Sequence, residues 1–420
     1  MENNFAKTVL DNGIRVVTER MPHARSIAMG VWVNVGARDE TQEESGLSHF
    51  IEHMIFKGTE KRSAVQIAKE LDAIGASWNA FTSKENTCYH AKVMDNYLNT
   101  AVDILSDIFL NSVFNDKEVE RERQVILQEI KMLEDTPEDY VHVLLARTMW
   151  GGHSLGRCVL GTPQNIANFD SKTIRQFFKR AYQPERIVVS AAGNLNHARF
   201  VELVARTFEV VRRDDNFPQR LSPVMNKGIT TQPKNLEQVH ICLGIKGVSA
   251  TDPRRHACAI LNVILGGNMS SRLFQEVRER RGLAYSIYSF LSLYSDTGML
   301  GVYAGVDKSN LQKVFEIISS QIKELKEKPV TASELKNAKQ YLKGALYLAA
   351  ENTENQMTRI AQTEINFGRY IPLKEAENEI ERVTHENILE LSSDIFHSEF
   401  AITLLGPIED DVQIRQMVSL

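Results

Sequence analysis

The sequence has little cysteine, no excess of positive charge and no long apolar run, and each shortage removes a class of protein. Its four cysteines, Cys88, Cys158, Cys242 and Cys258, are scattered and form no CxxC pair. Free, mostly buried thiols are therefore expected rather than a disulfide framework or a thiolate metal site. A net charge of -5 offers no electrostatic footprint for nucleic acid. No continuous apolar stretch approaches the ~18 residues that a membrane span needs. The opening MENNFAKTVLDNG has neither the segments of a secretory signal nor an Arg-rich transit pattern, so the expected location is the cytoplasm.

What is present describes a globular chain. Of 420 residues, 43% are apolar and 25% charged, which is ordinary for a soluble enzyme or scaffold and too long for a single core. Three echoes divide it. VWVNVGARDE around Gly36 returns as CLGIKGVSATDP around Gly247, AKVMDNYLNTAVDIL returns as YAGVDKSNLQKVFEI through Asp95 and Asp307, and RIVVSAAGNL returns as EFAITLLGPI through Gly193 and Gly406. The offsets, 211, 212 and 213, are nearly constant, so the chain reads as two copies of one ~200-residue unit. We expect an N-terminal unit at 1–212, a polar, proline-containing linker at 213–227 and a second unit at 228–420.

Each unit reads as strands, then helices, then a closing strand. KTVL, IRVVTE and IAMGVWVNV are β-rich runs. Helices are predicted at about 46–57 and at 64–74, the second opened by Ser63 and Gln66 as a capping box. Strands follow at about 76–83 and 86–94, amphipathic helices from 95 to about 150, a helix near 171–182 and the strand RIVVSAA. Blocks of strands and helices without strict alternation predict an α+β fold, with mixed, mostly antiparallel sheets flanked by helices.

The chemistry concentrates in HFIEH, residues 49–53. On a helix His49 and His53 lie one turn apart on one face and can reach a single ion, while Glu52 sits on the adjoining edge, free to hold a water. Neutral imidazoles suit zinc, and a carboxylate beside a zinc-bound water is a general base. An ordinary helix face is the competing explanation. The repeat weighs against it, because the second unit carries Leu261, Ile264 and Leu265 where the first has His49, Glu52 and His53. If that face is apolar core, burying two histidines and a carboxylate unpaired would cost several kcal/mol. A catalytic zinc needs a third protein ligand. ERERQVILQEIKMLED offers Glu122 and Glu129, seven apart and on one helix face, and spacing alone does not choose between them. The acidic run DETQEE at 39–44 could favour basic substrate residues, but a solvated loop is the expected reading.

HFIEH with Glu129 following and Glu122 seven residues before it resembles the inverted zinc-motif peptidases of the pitrilysin and insulin-degrading enzyme family. The likeness covers nearly the whole chain. It is nearest the ~50-kDa branch that holds the mitochondrial processing peptidase β subunit and its bacterial relatives. The resemblance implies one zinc per chain with His49, His53 and Glu129 as ligands, Glu52 as base and Glu122 as a carboxylate orienting a ligand. It makes WNAFTSKENTCYH a substrate-pairing edge strand, with Asn79, Ala80 and Phe81 against the peptide. It makes Arg278 and Tyr285 of VRERRGLAY the pair that holds the substrate carbonyl. It also implies peptide substrates enclosed between two halves and a homodimer whose sites are completed across chains. Only Gly266 and Gly267 stand where specialised presequence processors carry a long glycine-rich loop in a partner subunit, which points instead to a bacterial-type cytosolic peptidase. A non-catalytic assembly subunit of the same fold is the alternative; such subunits typically lose the metal motif, which is intact here.

Overall fold

The computed structural model describes residues 4–209, 211 and 217–408. Residues 213–216 of the expected linker lie outside the described residues. Strands β1 (Phe5–Val9), β2 (Arg15–Arg20) and β3 (Ser26–Val33) lead into helices α1 (Leu47–Ile55) and α2 (Ala64–Ala73). The strand pair β4 (Ser77–Thr82) and β5 (Thr87–Met94) is followed by α3 (Leu98–Asn111), α4 (Asp116–Glu134), α5 (Pro137–Trp150), α6 (Pro163–Asn168) and α7 (Ser171–Ala181). Strand β6 (Ile187–Gly193) and α8 (His197–Phe208) close the first half. The second half runs β7 (Gly228–Pro233), β8 (Val239–Gly247), α9 (Arg255–Leu265), β9 (Ala284–Leu293), β10 (Gly298–Val306) and α10 (Leu311–Glu327). It ends with α11 (Ala332–Ala350), α12 (Thr353–Phe367), α13 (Leu373–Arg382), α14 (His385–Ile395) and β11 (Ala401–Gly406).

The duplication is visible in the sheets. With the additional β1 set aside, their orders are β2-β6-β3-β5-β4 and β7-β11-β8-β10-β9. In each the first pair is parallel and the rest antiparallel. The echoed glycines occupy one place in both copies. Gly193 ends β6 at φ 138 and Gly406 ends β11 at φ 155, and a Cβ at either would sit 2.2 Å from the Ser26 carbonyl oxygen or 2.7 Å from that of Gln238. Only glycine allows both the backbone angle and the close approach.

Two compact units form. The first takes the residues up to Lys131, then Arg157–Leu221 and Tyr347–Ile371; the second takes Met132–Gly156, Ser222–Leu346 and the residues from Pro372 on. The expected units, 1–212 and 228–420, give the chain order; in space each compact unit also takes a segment from the other half. In the first unit, alternate residues of β3 divide between two layers. Ile27, Met29, Val31 and Val33 join the core formed with α1, α3, α7 and α8, while Ala28 and Trp32 face Met357, Ile360 and Ala361 of α12. In the second unit Leu243 and Ile245 of β8 join α9, α10 and α14, while Cys242 faces Leu144, Leu145 and Met149 of α5. Both central strands thus have two dry faces, which explains their near-continuous apolar runs.

Capping agrees with the sequence. Ser63 Oγ accepts from the Gln66 amide at 3.3 Å and Gln66 Oε1 accepts from the Ser63 amide at 2.8 Å, so α2 starts where its capping box predicted. All four cysteines are free, with Cys88, Cys242 and Cys258 buried. Among the described residues no helix is long and apolar enough to cross a membrane.

Candidate metal centre

Helix α1 begins at Gly46, whose φ of 104 is left-handed and whose Cβ position lies 2.9 Å from Ile166 Cδ1. The chain can turn this tightly into α1 only because that residue is glycine. The acidic run just before it is solvated only at 41–43, and the expectation of a solvated loop over 39–44 is corrected for Asp39 and Glu40. Buried Glu40 accepts the amides of Gly46 at 2.8 Å and Ser48 at 2.7 Å, satisfying free N–H groups at the start of α1. Its burial pushes the carboxyl up to about 8 despite those bonds. Asp39 accepts two 2.8 Å hydrogen bonds from Arg220, and only positions 41–43 are exposed. Glu40 thus serves a helix start and Asp39 a half-buried guanidinium.

One turn into α1, His49 and His53 stand with ring centroids 4.7 Å apart. Across from them, α4 supplies Glu129. Its Oε2 lies 3.6 Å from His49 Nε2 and 3.6 Å from His53 Nε2, and the three ligand atoms all fall within 4.8 Å of one another. Ligands ~2.1 Å from a tetrahedral zinc are separated from each other by about 3.4 Å, so the donor set fits that ion. Glu129 Oε2 is buried with no hydrogen-bond partner, and so is Glu52 Oε2. Lone pairs left unpaired in a buried pocket are costly, and a cation relieves both. No other group of three such side chains has metal-binding geometry among the described residues.

The protonation states suit ligation. Burial, with His53 adjoining, pushes His49 down to about 3, leaving a neutral ring with a free lone pair at pH 7. His53 Nδ1 lies 3.1 Å from Glu122 Oε2; a carboxylate only accepts, so the ring donates there and Nε2 is the lone-pair nitrogen. Burial would raise Glu122, but hydrogen bonds from His53 and Lys57 outweigh it and hold the group below its usual range. Glu52 is raised, mainly by burial, against hydrogen bonds from the side chain and backbone of Thr82.

Thr82 ends β4, an edge strand of the first sheet. The alternating burial of SWNAFT marks a strand whose two faces differ. Trp78 packs on Phe56 with centroids 4.9 Å apart, whereas Phe81 packs edge-on against Trp32 at 5.5 Å on the opposite face. The Ala80 amide donates at 2.9 Å to Asn79 Oδ1; with the Ser83 amide bonded to the Asn86 carbonyl, the alternation of ladder bonds makes Ala80 and Tyr89 a non-hydrogen-bonded pair, which turns the Ala80 amide toward the open edge. In the second unit, Arg278 closes a π-helical turn over Phe274–Glu279, and Tyr285 is the second residue of β9, itself an edge strand. The Arg278 guanidinium carbon lies 4.8 Å from the Tyr285 ring centroid, and Tyr285 is 78% exposed. The counterpart of the histidine face, Leu261, Ile264 and Leu265 on α9, is buried core.

Sequence reasoning missed Lys57 and Thr82. Lys57, four residues after His53 as His53 is after His49, reaches Glu122 Oε1 at 2.6 Å. That spacing was the available signal. Thr82 alternates with Trp78 and Ala80 along β4, but only the packing of β4 beside α1 shows what it meets.

The chain is similar to proteins already known. Residues 15–163 match the family model described as insulinase (peptidase family M16), and residues 168–342 match the peptidase M16 inactive domain. The chain is 43% identical to the uncharacterized zinc protease YmxG of Bacillus subtilis, over 94% of this chain and 97% of that protein. It is 40% identical to the uncharacterized zinc protease SCO5738 of Streptomyces coelicolor, over 96% and 90%. Among solved structures, a Helicobacter pylori protease superposes with a TM-score of 0.90 at 22% identity, covering 96% of this chain and 99% of that one. The chain therefore belongs to the insulinase, or M16, peptidase family. Its two-unit α+β fold is that of M16 proteins, and the inactive-domain match falls mostly on the half whose counterpart helix is apolar.

Proposed function

We propose that the chain is a zinc-dependent endopeptidase that hydrolyses flexible or extended peptides, with one zinc per chain. The observation that carries this reading is the convergence of His49 Nε2, His53 Nε2 and Glu129 Oε2 beside an unpartnered Glu52 oxygen. Zinc, when held there, supplies a Lewis acid that polarises a carbonyl and acidifies water. Glu52 accepts the proton of the attacking water and delivers it to the leaving amine. The open edge of β4 takes the peptide as an added strand through Asn79, Ala80 and Phe81, reading backbone rather than side chain. Arg278 and Tyr285 are donors for the developing oxyanion. We assign them to the site of a second copy in a homodimer, because two chains together would supply four units with two such sites. The intact ligand set argues against the non-catalytic assembly reading.

The test is digestion of a proteome-derived peptide library and of a stable folded domain, read by mass spectrometry. Flexible peptides of a few tens of residues are expected to be cut, with activity lost to a chelator and restored by zinc. A folded domain should resist, since strand addition requires an extended backbone. Chelator-insensitive cleavage, or efficient cutting inside the folded domain, would overturn the proposal.

A further inference from the structure

Helices α1 and α4 supply all three ligand atoms, so the site depends on how one helix is pinned to the other. Glu122 is the pin on α4, two turns before Glu129 and on the same face. Its side chain is 7% exposed and both oxygens are engaged: Oε2 lies 3.1 Å from His53 Nδ1 and Oε1 2.6 Å from Lys57 Nζ. Neither oxygen is among the unpartnered buried atoms. Lys57 follows α1 directly, its amide bonded to the Met54 carbonyl at 3.0 Å, and its side chain is 31% exposed. Lys57 and His53 therefore grip one carboxylate from two points on the same stretch of chain, and the carboxylate cannot rotate without losing one of them.

We propose that Lys57 is a positioning residue for the metal centre, locking Glu122 so that it orients the His53 ring and sets α4, with Glu129, at ligand distance. This rests on the zinc reading above. With Lys57 removed, Glu122 Oε1 becomes a buried, unpaired carboxylate oxygen. The side chain then turns toward solvent, and His53 loses the acceptor that fixes its tautomer and ring plane.

The sign of the effect separates this role from a plain charge effect. Deleting a positive charge near a cation site favours cation binding by Coulomb's law, so charge alone predicts tighter zinc in Lys57→Met. Positioning predicts weaker zinc, by the tenfold to hundredfold typical of an outer-shell partner.

The experiment measures zinc affinity by chelator competition, with no reliance on activity, for wild type, Lys57→Met, Lys57→Arg and Lys57→Met in a Glu122→Gln background. The metal-free thermal midpoint of each reports folding. The proposal expects a loss of at least about tenfold in Lys57→Met. It also expects near-recovery in Lys57→Arg, whose guanidinium can pair with the same carboxylate, and little further loss in the double variant. Zinc bound as tightly or more tightly by a folded Lys57→Met overturns it, as does full additivity with Glu122→Gln. Should Lys57→Met not fold, the arginine variant and the Glu122→Gln background still decide: weak zinc in a folded Lys57→Arg, or undiminished zinc in Glu122→Gln, overturns it. Failure of the wild type to bind zinc overturns the zinc reading and this inference together, whereas tight wild-type binding with an unaffected Lys57→Met overturns this inference alone.

Discussion

His49 contributes to the acid side of the stability profile. Its folded value of about 3 lies below its ordinary 6.5, so between those limits the unfolded chain binds a proton that the folded chain does not. Stability then rises with pH across that window and is lost as pH falls from about 6.5 toward 3. The full shift corresponds to a few kcal/mol at most. Glu52 acts in the opposite sense: its raised value makes its ionised, folded form costly, and that cost is relieved as pH falls from the raised value toward the usual carboxylate range. Buried Glu40, raised to about 8, opposes His49 in the same sense as Glu52, so the histidine's contribution is read as a difference: between pH 6.5 and 5 the thermal midpoint of metal-free wild type should fall relative to that of a variant without the titrating ring. His49→Gln, which cannot titrate, should lack that contribution and show a smaller fall, or a rise, over the same interval. An unchanged slope in a folded His49→Gln protein would place the proton elsewhere.

At the scale of elements, β4 carries the expectation most open to measurement. The Ala80 amide donates to Asn79 Oδ1 and by register faces the open edge, and proline is tolerated where a strand's N–H faces outward. Ala80→Pro should therefore keep the fold and its zinc while losing one backbone hydrogen bond to a peptide. A charge-free hydrogen bond of roughly 1 kcal/mol corresponds to a fall in kcat/KM of about fivefold to tenfold. Unaltered kcat/KM with full zinc content would remove β4 from peptide recognition.

The same elements show what a sequence can and cannot convey. His49, Glu52 and His53 were legible because i, i+3 and i+4 fix their shared face within one helix. Glu129 was not fixed by spacing, since its approach to His49 depends on how α4 docks, and only the family resemblance singled it out. The exchange of α5 and α12 was invisible for a related reason: an amphipathic pattern states that a helix has an apolar face, but not which sheet covers it. Helix α8 was overlooked although Phe200, Val204 and Phe208 recur at helical spacing. The acidic run misled because its glutamate count looks solvated, whereas Glu40 serves helix amides eight or fewer residues ahead.

For the whole molecule, the duplication gives one zinc motif and one Arg278–Tyr285 pair per chain. If the pair serves the partner's site, Glu52→Gln and Tyr285→Phe chains are each weakly active alone but complement when mixed, because one site of a mixed dimer has both groups intact. Subunit exchange confirmed by mass spectrometry without recovered activity would mean that the pair acts in its own chain or has no catalytic role. A monomer at working concentration by analytical ultracentrifugation would remove the shared site as well.

The proposed zinc-dependent hydrolysis with Glu52 as base stands or falls on one paired measurement: zinc content and peptide hydrolysis of Glu52→Gln beside wild type. Glu52 is not a ligand, so the variant should bind one zinc per chain as the wild type does and lose at least ~10²-fold in rate. Undiminished hydrolysis at normal zinc content, with contaminating proteases excluded, would contradict the account.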